Sequence, residues 1–251
     1  WDMVIAYGLG SLLMVALTLA FTRFVQRRDL LTGAVFSMGT AMANSSFVGF
    51  PIALQLFGPQ AGAALAAYAV VESVVMFPFL YVLGDAAASG RQPLRVLLSS
   101  IAGRLLKNPF LLSLAAGAAW AASEVAMPEP IGRAVGMLAS TSAPVALFCI
   151  GGTLAGLSLR GMGSDLGLLV AGKLLIHPLA VFVAMLAFPV ADPQRQTAVL
   201  LNAAMPMMSM YPILGLRYGR EGICAAAVFA STLCSFFTIS AALWLIGVGA
   251  P

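Results

Sequence analysis

Apolar residues run along this chain in long blocks, not in the short alternations of a soluble protein. About 20 consecutive apolar residues cross a bilayer core. Eight stretches meet that length: 3–24, 33–57, 61–84, 107–124, 132–156, 167–189, 195–217 and 222–247. The pattern predicts an all-α polytopic membrane protein. Most connections are short turns, such as Gly58-Pro59-Gln60 and Ala191-Asp192-Pro193. One connection is long, residues 85–106, and it parts three spans from five. Within it Leu94, Leu97, Leu98, Ile101 and Leu105 recur at helical spacing, which leaves an interfacial helix on the inner leaflet and a polar linker both open.

Two spans carry polar and helix-breaking residues at bilayer depth. The second reads Ala41-Met42-Ala43-Asn44-Ser45-Ser46-Phe47-Val48-Gly49-Phe50-Pro51. The seventh reads Leu201-Asn202-Ala203-Ala204-Met205-Pro206-Met207-Met208-Ser209-Met210-Tyr211-Pro212. Pro51, Pro206 and Pro212 each remove a backbone donor and crowd the preceding turn, so the helix is expected to break or kink at them. Each interrupted span is next to last in its half. The halves therefore align at their ends as inverted five-span repeats: residues 1–84 supply three spans, residues 107–251 all five, and two N-terminal spans are expected to be missing. Paired breaks in an inverted repeat mark the binding site of a secondary transporter. Unwound amides must face protein or a wet cavity. Half-helices that start at mid-membrane aim their positive dipole ends at one point, which favours an anion such as a carboxylate.

Composition narrows the class. Charged residues are 9% of the chain and hydrophobic ones 61%, against about 25% charged in a soluble domain. That excludes a soluble enzyme, a nucleic-acid binder and a disordered chain. The net charge of +4 comes from scattered loop residues. Arg23, Arg27, Arg28, Arg91, Arg95, Arg104, Lys107, Arg160, Arg217 and Arg220 fall on one side of the membrane, and only Arg133 and Arg195 on the other. The positive-inside rule places the first group in the cytoplasm, as in a multi-pass protein of a cell's inner membrane. Cys149, Cys224 and Cys234 lie in apolar runs without disulfide or zinc spacing. The first apolar run lacks the basic n-region of a cleavable signal. No GxxxxGK[ST] motif is present, so an ion or substrate gradient must drive transport. HExxH and GxSxG are also absent, and no enzyme is expected. Nor is a metal or cofactor expected, with proton and sodium coupling both left open.

The candidate binding residues are uncharged. Asn44 and Asn202 are placed to hydrogen-bond a carboxylate, or else to satisfy broken backbone and join helices, at about 0.6 kcal/mol per interhelical bond. Ser45, Ser46, Ser209 and Tyr211 flank them, and Gly49 reads as the site of close helix crossing. Three ionisable residues lie inside spans: Glu72 in the third, Lys173 and His177 one turn apart in the sixth. A charge at the bilayer centre costs at least ~2.5–3.5 kcal/mol, so each needs a partner or water. Glu72 and Lys173 are expected to pair across the repeats as a static ion pair, with a proton relay as the alternative. His177, before Pro178, is read as a cap for freed carbonyls, with proton coupling through it as the alternative. Met205, Met207, Met208 and Met210 either line an adaptable apolar pocket or simply pack. The hydroxyls of the last span (Ser231, Thr232, Ser235, Thr238, Ser240) read as close packing. Acidic residues look absent from the crossing, which weighs against a sodium-coupled organic-anion symporter.

At these breaks the sequence resembles the auxin efflux carrier family, which includes plant PIN carriers and bacterial malate and malonate permeases. The likeness rests on Asn44 to Pro51 with Ile52-Ala53-Leu54 and Phe57-Gly58, on Asn202 to Pro206 with Tyr218-Gly219, and on Lys173-Leu174-Leu175-Ile176-His177-Pro178. It implies ten spans in a fold similar to sodium/proton antiporters and bile-acid symporters. Crossed broken helices and a transport part moving against a scaffold are implied with it, as are organic-anion substrates. Asn44 and Pro51 match the first crossing motif, Asn202 and Pro206 the second. Plant members tend to have Gln at the position of Asn202 and a large hydrophilic loop where this chain has residues 85–106, which points to a bacterial-type carrier. The implied partners are a small organic anion and the bilayer, with a homodimer left open.

Overall fold

The structure, a computed structural model, describes residues 1–89, 96, 99, 103, 106–107, 109–154 and 163–245. Most of the interfacial segment expected at 93–106 lies outside the described residues. Regular structure among the described residues is helical, apart from one antiparallel bridge between Ala43 and Met207.

The first expected span is α1, Asp2–Ala20, continued by a wide π-turn at Phe21–Val25. The second is split into α2, Leu30–Thr40, and α3, Phe50–Phe57, with a π-turn at Ser45–Gly49 leading into α3. The third joins α4, Ala61–Val70, to α5, Phe77–Ser89, through a π-turn at Val71–Met76, and so runs five residues past the expected end at 84. Next come α6, Pro109–Ala122, and α7, Glu129–Leu154. The sixth expected span is α8, Gly163–Ala171, a π-turn at Gly172–Ile176, and α9, His177–Ala187. The seventh is split into α10, Pro193–Ala204, and α11, Tyr211–Leu216, and the last is α12, Glu221–Leu245. Among the described residues, four uninterrupted helical stretches are long and apolar enough to cross a membrane: Asp2–Val25, Ala61–Ala88, Gly163–Ala187 and Glu221–Trp244.

Residue size explains how α1 sits. Its buried stripe is Tyr7, Gly10, Ser11, Met14, Val15 and Thr18, while Ile5, Leu9, Leu13 and Leu17 lie exposed on the opposite face. Small and polar residues inward with large apolar ones outward is the arrangement a bilayer selects, because lipid tails are as apolar as leucine. A Cβ added at Gly10 would lie 2.5 Å from the Val181 Cα. The backbones of α1 and α9 therefore touch, and this contact anchors the core of the bundle.

Charges collect at the bundle's ends. At one end Arg28 pairs with Asp165 at 2.8 Å, and Arg217 grips both carboxylate oxygens of Asp85 at 2.9 and 3.0 Å. Tyr218 donates to the same Asp85 at 2.9 Å. At the other end Arg195 lies 3.9 Å from both Asp2 and Asp192.

Candidate functional site

Both interrupted spans are unwound, but not where the prolines alone would put the breaks. The first gap is Ala41–Asn44, seven residues before Pro51. Pro51 instead occupies the first turn of α3, where a missing donor costs little. The π-turn ahead of it absorbs the misfit: the Gly49 amide reaches back to the Asn44 carbonyl at 2.9 Å. The second gap is Met205–Met210. Pro206 lies inside it, whereas Pro212 opens α11 harmlessly.

The two gaps meet. The Asn44 amide donates to the Pro206 carbonyl at 2.9 Å, beside the Ala43–Met207 bridge. Three of the freed backbone groups find a partner on a neighbouring helix. The Ala43 amide donates to Glu72 Oε1 at 3.1 Å, and the Met207 amide to Ser231 Oγ at 3.2 Å. Lys173 Nζ donates to the Ala203 carbonyl at 2.9 Å. The Glu72 carboxyl thus holds the donor freed at the first break, and the Lys173 amino group holds the acceptor freed at the second.

This corrects one expectation: Glu72 and Lys173 do not form an ion pair within 4 Å. Tyr7 Oη donates to Glu72 Oε1 at 2.6 Å, and its ring centroid lies 5.9 Å from that of His177. Lys173 turns instead to His177 Nδ1 at 2.7 Å and to the Ala203 carbonyl, so the lysine caps a carbonyl freed at the second break. His177 Nε2 lies 3.1 Å from Ser11 Oγ. Both Glu72 and Lys173 sit on π-turns, wide turns that recur at functional sites.

Acid is not absent from the crossing. Ser45 Oγ donates to Glu72 Oε1 at 3.0 Å, and Glu72 helps line a cavity of ≈ 240 Å³ bounded by both unwound segments. The first segment contributes Asn44, Ser45 and Ser46; the second contributes Ser209, with Met208 and Met210 as apolar wall. Asn44 caps the Phe47 amide through Oδ1 at 3.3 Å and donates from Nδ2 to Ser209 Oγ at 2.7 Å. The methionines divide: Met207 is fully buried in the packing, and Met205, also fully buried, lines a smaller pocket on the other side of the crossing. Asn202 and Gly49 lie there too, lining the same pocket. Tyr211 is not brought to either space; it is fully buried beside Gly39. The dipole expectation is also uneven, since α11 has only six residues while the Ser45–Phe57 half-helix has thirteen.

The profile of the membrane transport protein family matches residues 1–245. The chain belongs to this family. That bears out the resemblance to the auxin efflux carriers. A relative from Rhizobium meliloti (strain 1021), described as "Putative malonate transporter", is 32% identical over 237 residues, covering 94% of this chain and 74% of the relative. The protein is therefore a multi-pass membrane transporter of the membrane transport protein family.

Four residues of this transporter's crossing escaped the sequence reading: Tyr7, Ser11, Tyr68 and Ser231. Ser231 was placed among packing hydroxyls, yet its Oγ accepts the Met207 amide. A signal did exist for the first two. Tyr7, Ser11, Thr18 and Thr22 form a polar stripe at helical spacing on a span that is otherwise apolar.

Proposed function

We propose that this transporter carries small dicarboxylates across a cell's inner membrane. It does so by alternating access around the two crossed breaks, within a ten-span inverted repeat. The observation that carries this reading is the 240 Å³ cavity, to which both unwound segments bring hydrogen-bonding side chains: Asn44, Ser45, Ser46 and Ser209. Its size suits a small organic acid, and its Met208 and Met210 wall suits a short carbon chain. The relative described as a malonate transporter supports the same class.

Glu72 adds a coupling role. An ionised Glu72 in the same cavity would repel an anionic substrate, and in a low dielectric that repulsion is strong. A protonated Glu72 would not. Substrate and proton therefore enter together, and Glu72 is the proton's carrier. Sodium held by Glu72 and Ser45 is the competing coupling, and gradients separate the two.

The test is uptake of a radiolabelled panel of mono- and dicarboxylates into proteoliposomes, with a proton gradient, a sodium gradient or neither. Malonate-type acids should accumulate with the proton gradient. Asn44→Ala should reduce uptake about tenfold, in keeping with the loss of a hydrogen bond to a charged group. Uptake of no acid in the panel would sink the substrate class. Accumulation that needs sodium alone would reassign Glu72 to the cation.

A further inference from the structure

The crossing has a second concave face. Toward the Ala61 and Pro193 ends of the helices, Gly49 and Ala53 of the first broken span, Ala64 and Tyr68 of α4, and Ala198 and Asn202 of α10 enclose a pocket of ≈ 10 Å³. That is about the least space that admits one water-sized group. Two polar groups at this pocket have no hydrogen-bond partner among the described residues, Asn202 Nδ2 and Tyr68 Oη, and both residues are only 4% exposed. On the other side of the crossing the polar groups are satisfied: Asn44, Ser45, Ser209 and Glu72 are all hydrogen-bonded. Buried polar groups without partners call for an explanation, and here two converge on one pocket.

Their chemistry defines what they would hold. An amide nitrogen only donates and a phenol donates readily, so the two unpartnered groups suit an anionic oxygen. The pocket is tightly shut. A Cβ at Gly49 would come 3.2 Å from Met205 Cγ and 3.3 Å from Asn202 Oδ1. We propose that Asn202 and Tyr68 form a second carboxylate-binding station, closed in this conformation and occupied when the crossing opens toward the Pro193 end. The station rests on the organic-anion reading above and adds to it a second face and a new residue, Tyr68. The substrate's carboxylate would pass from Asn44 and Ser209 on one face to Asn202 and Tyr68 on the other.

The experiment uses the full chain in proteoliposomes of defined orientation, with radiolabelled malonate offered from either face. Tyr68→Phe should raise KM from the Pro193 face by roughly tenfold, the loss of one hydrogen bond to a charged group. From the Arg217 face KM should stay within about twofold, as expected when no contact to substrate there is lost. An unchanged KM at both faces, or an equal rise at both, overturns the station. So does a lowered Tm with KM unchanged, which would make the hydroxyl structural. If the wild-type chain carries no malonate, the substrate reading fails instead, and the station is decided by labelling. Tyr68→Cys, with Cys149, Cys224 and Cys234 changed to alanine, should react with an impermeant maleimide from the Pro193 face and be slowed by a mono- or dicarboxylate. Reaction from the Arg217 face, or reaction that no carboxylate slows, overturns it.

Discussion

At the scale of single residues, the crossing is a solution to a hydrogen-bonding problem. Unwinding a helix in hydrocarbon frees amides and carbonyls that water cannot reach, each worth several kcal/mol if left alone. Glu72, Ser231 and Lys173 each take one of them. Glu72 carries the heaviest load, since Tyr7, Ser45 and the Ala43 amide all donate to the same oxygen. Glu72→Gln keeps an acceptor in place but cannot exchange a proton. Uptake by the wild-type chain should fall as external pH rises, while the variant's slower uptake should vary little with pH. A variant that kept the wild-type pH profile would remove Glu72 from coupling. The sequence made Glu72, Lys173 and the two asparagines visible, because a charge or amide in a run of Leu, Ala and Val stands out. It could not show which of them meet. The direct Glu72–Lys173 pair fails because Tyr7, a residue unexceptional in an apolar run, donates to Glu72, while Lys173 turns to His177 and the Ala203 carbonyl. Ser231 and Tyr68 stayed hidden for the same reason: a hydroxyl gains its meaning from the helix it faces.

At the scale of elements, helix type and extent were legible from apolar block length, while the position of the breaks was not. Prolines mark where a helix cannot donate, yet a π-turn or a first turn can accommodate that loss, as at Pro51 and Pro212. The unwinding falls instead where neighbouring helices offer partners. Close packing sets how those neighbours lie. Gly10→Ala would drive a methyl into the Val181 backbone, and overpacking of this kind costs about 1–3 kcal/mol. The purified variant should melt several degrees lower in detergent. An unchanged Tm would mean that α1 and α9 can separate freely. A second element-scale outcome concerns the start of α2, outside the spans. The Thr32 hydroxyl and amide hydrogen-bond Asp29 and hold its carboxyl below the usual carboxylate value. A lowered folded-state value means the cap stabilises at neutral pH, and this benefit fades as pH falls through the acid range below about 4. Asp29→Ala should cost about 1 kcal/mol at pH 7 and little near pH 3. A Tm difference of equal size at both pH values would deny the cap its charge.

At the scale of the whole molecule, Ser45 has a consequence in electrical terms. It lines both the large cavity and the small pocket, so the wall between the two faces of the crossing is about one residue thick. A transmembrane voltage drops mainly across the least conductive layer, and wet cavities on either side would press nearly all of it onto that wall. Carrying one elementary charge through the full potential is worth ~2.3 kcal/mol per 100 mV. A dicarboxylate that travels with a single proton keeps one negative charge, and it would cross the whole field in one short step. Malonate uptake under potentials set by potassium gradients and valinomycin should therefore change severalfold over 100 mV, in the direction that draws anions inward. Flat uptake would mean that a second cation cancels the charge. A thin wall makes the membrane potential a substrate-side force in its own right, so the same carrier would import or export according to the cell's polarisation.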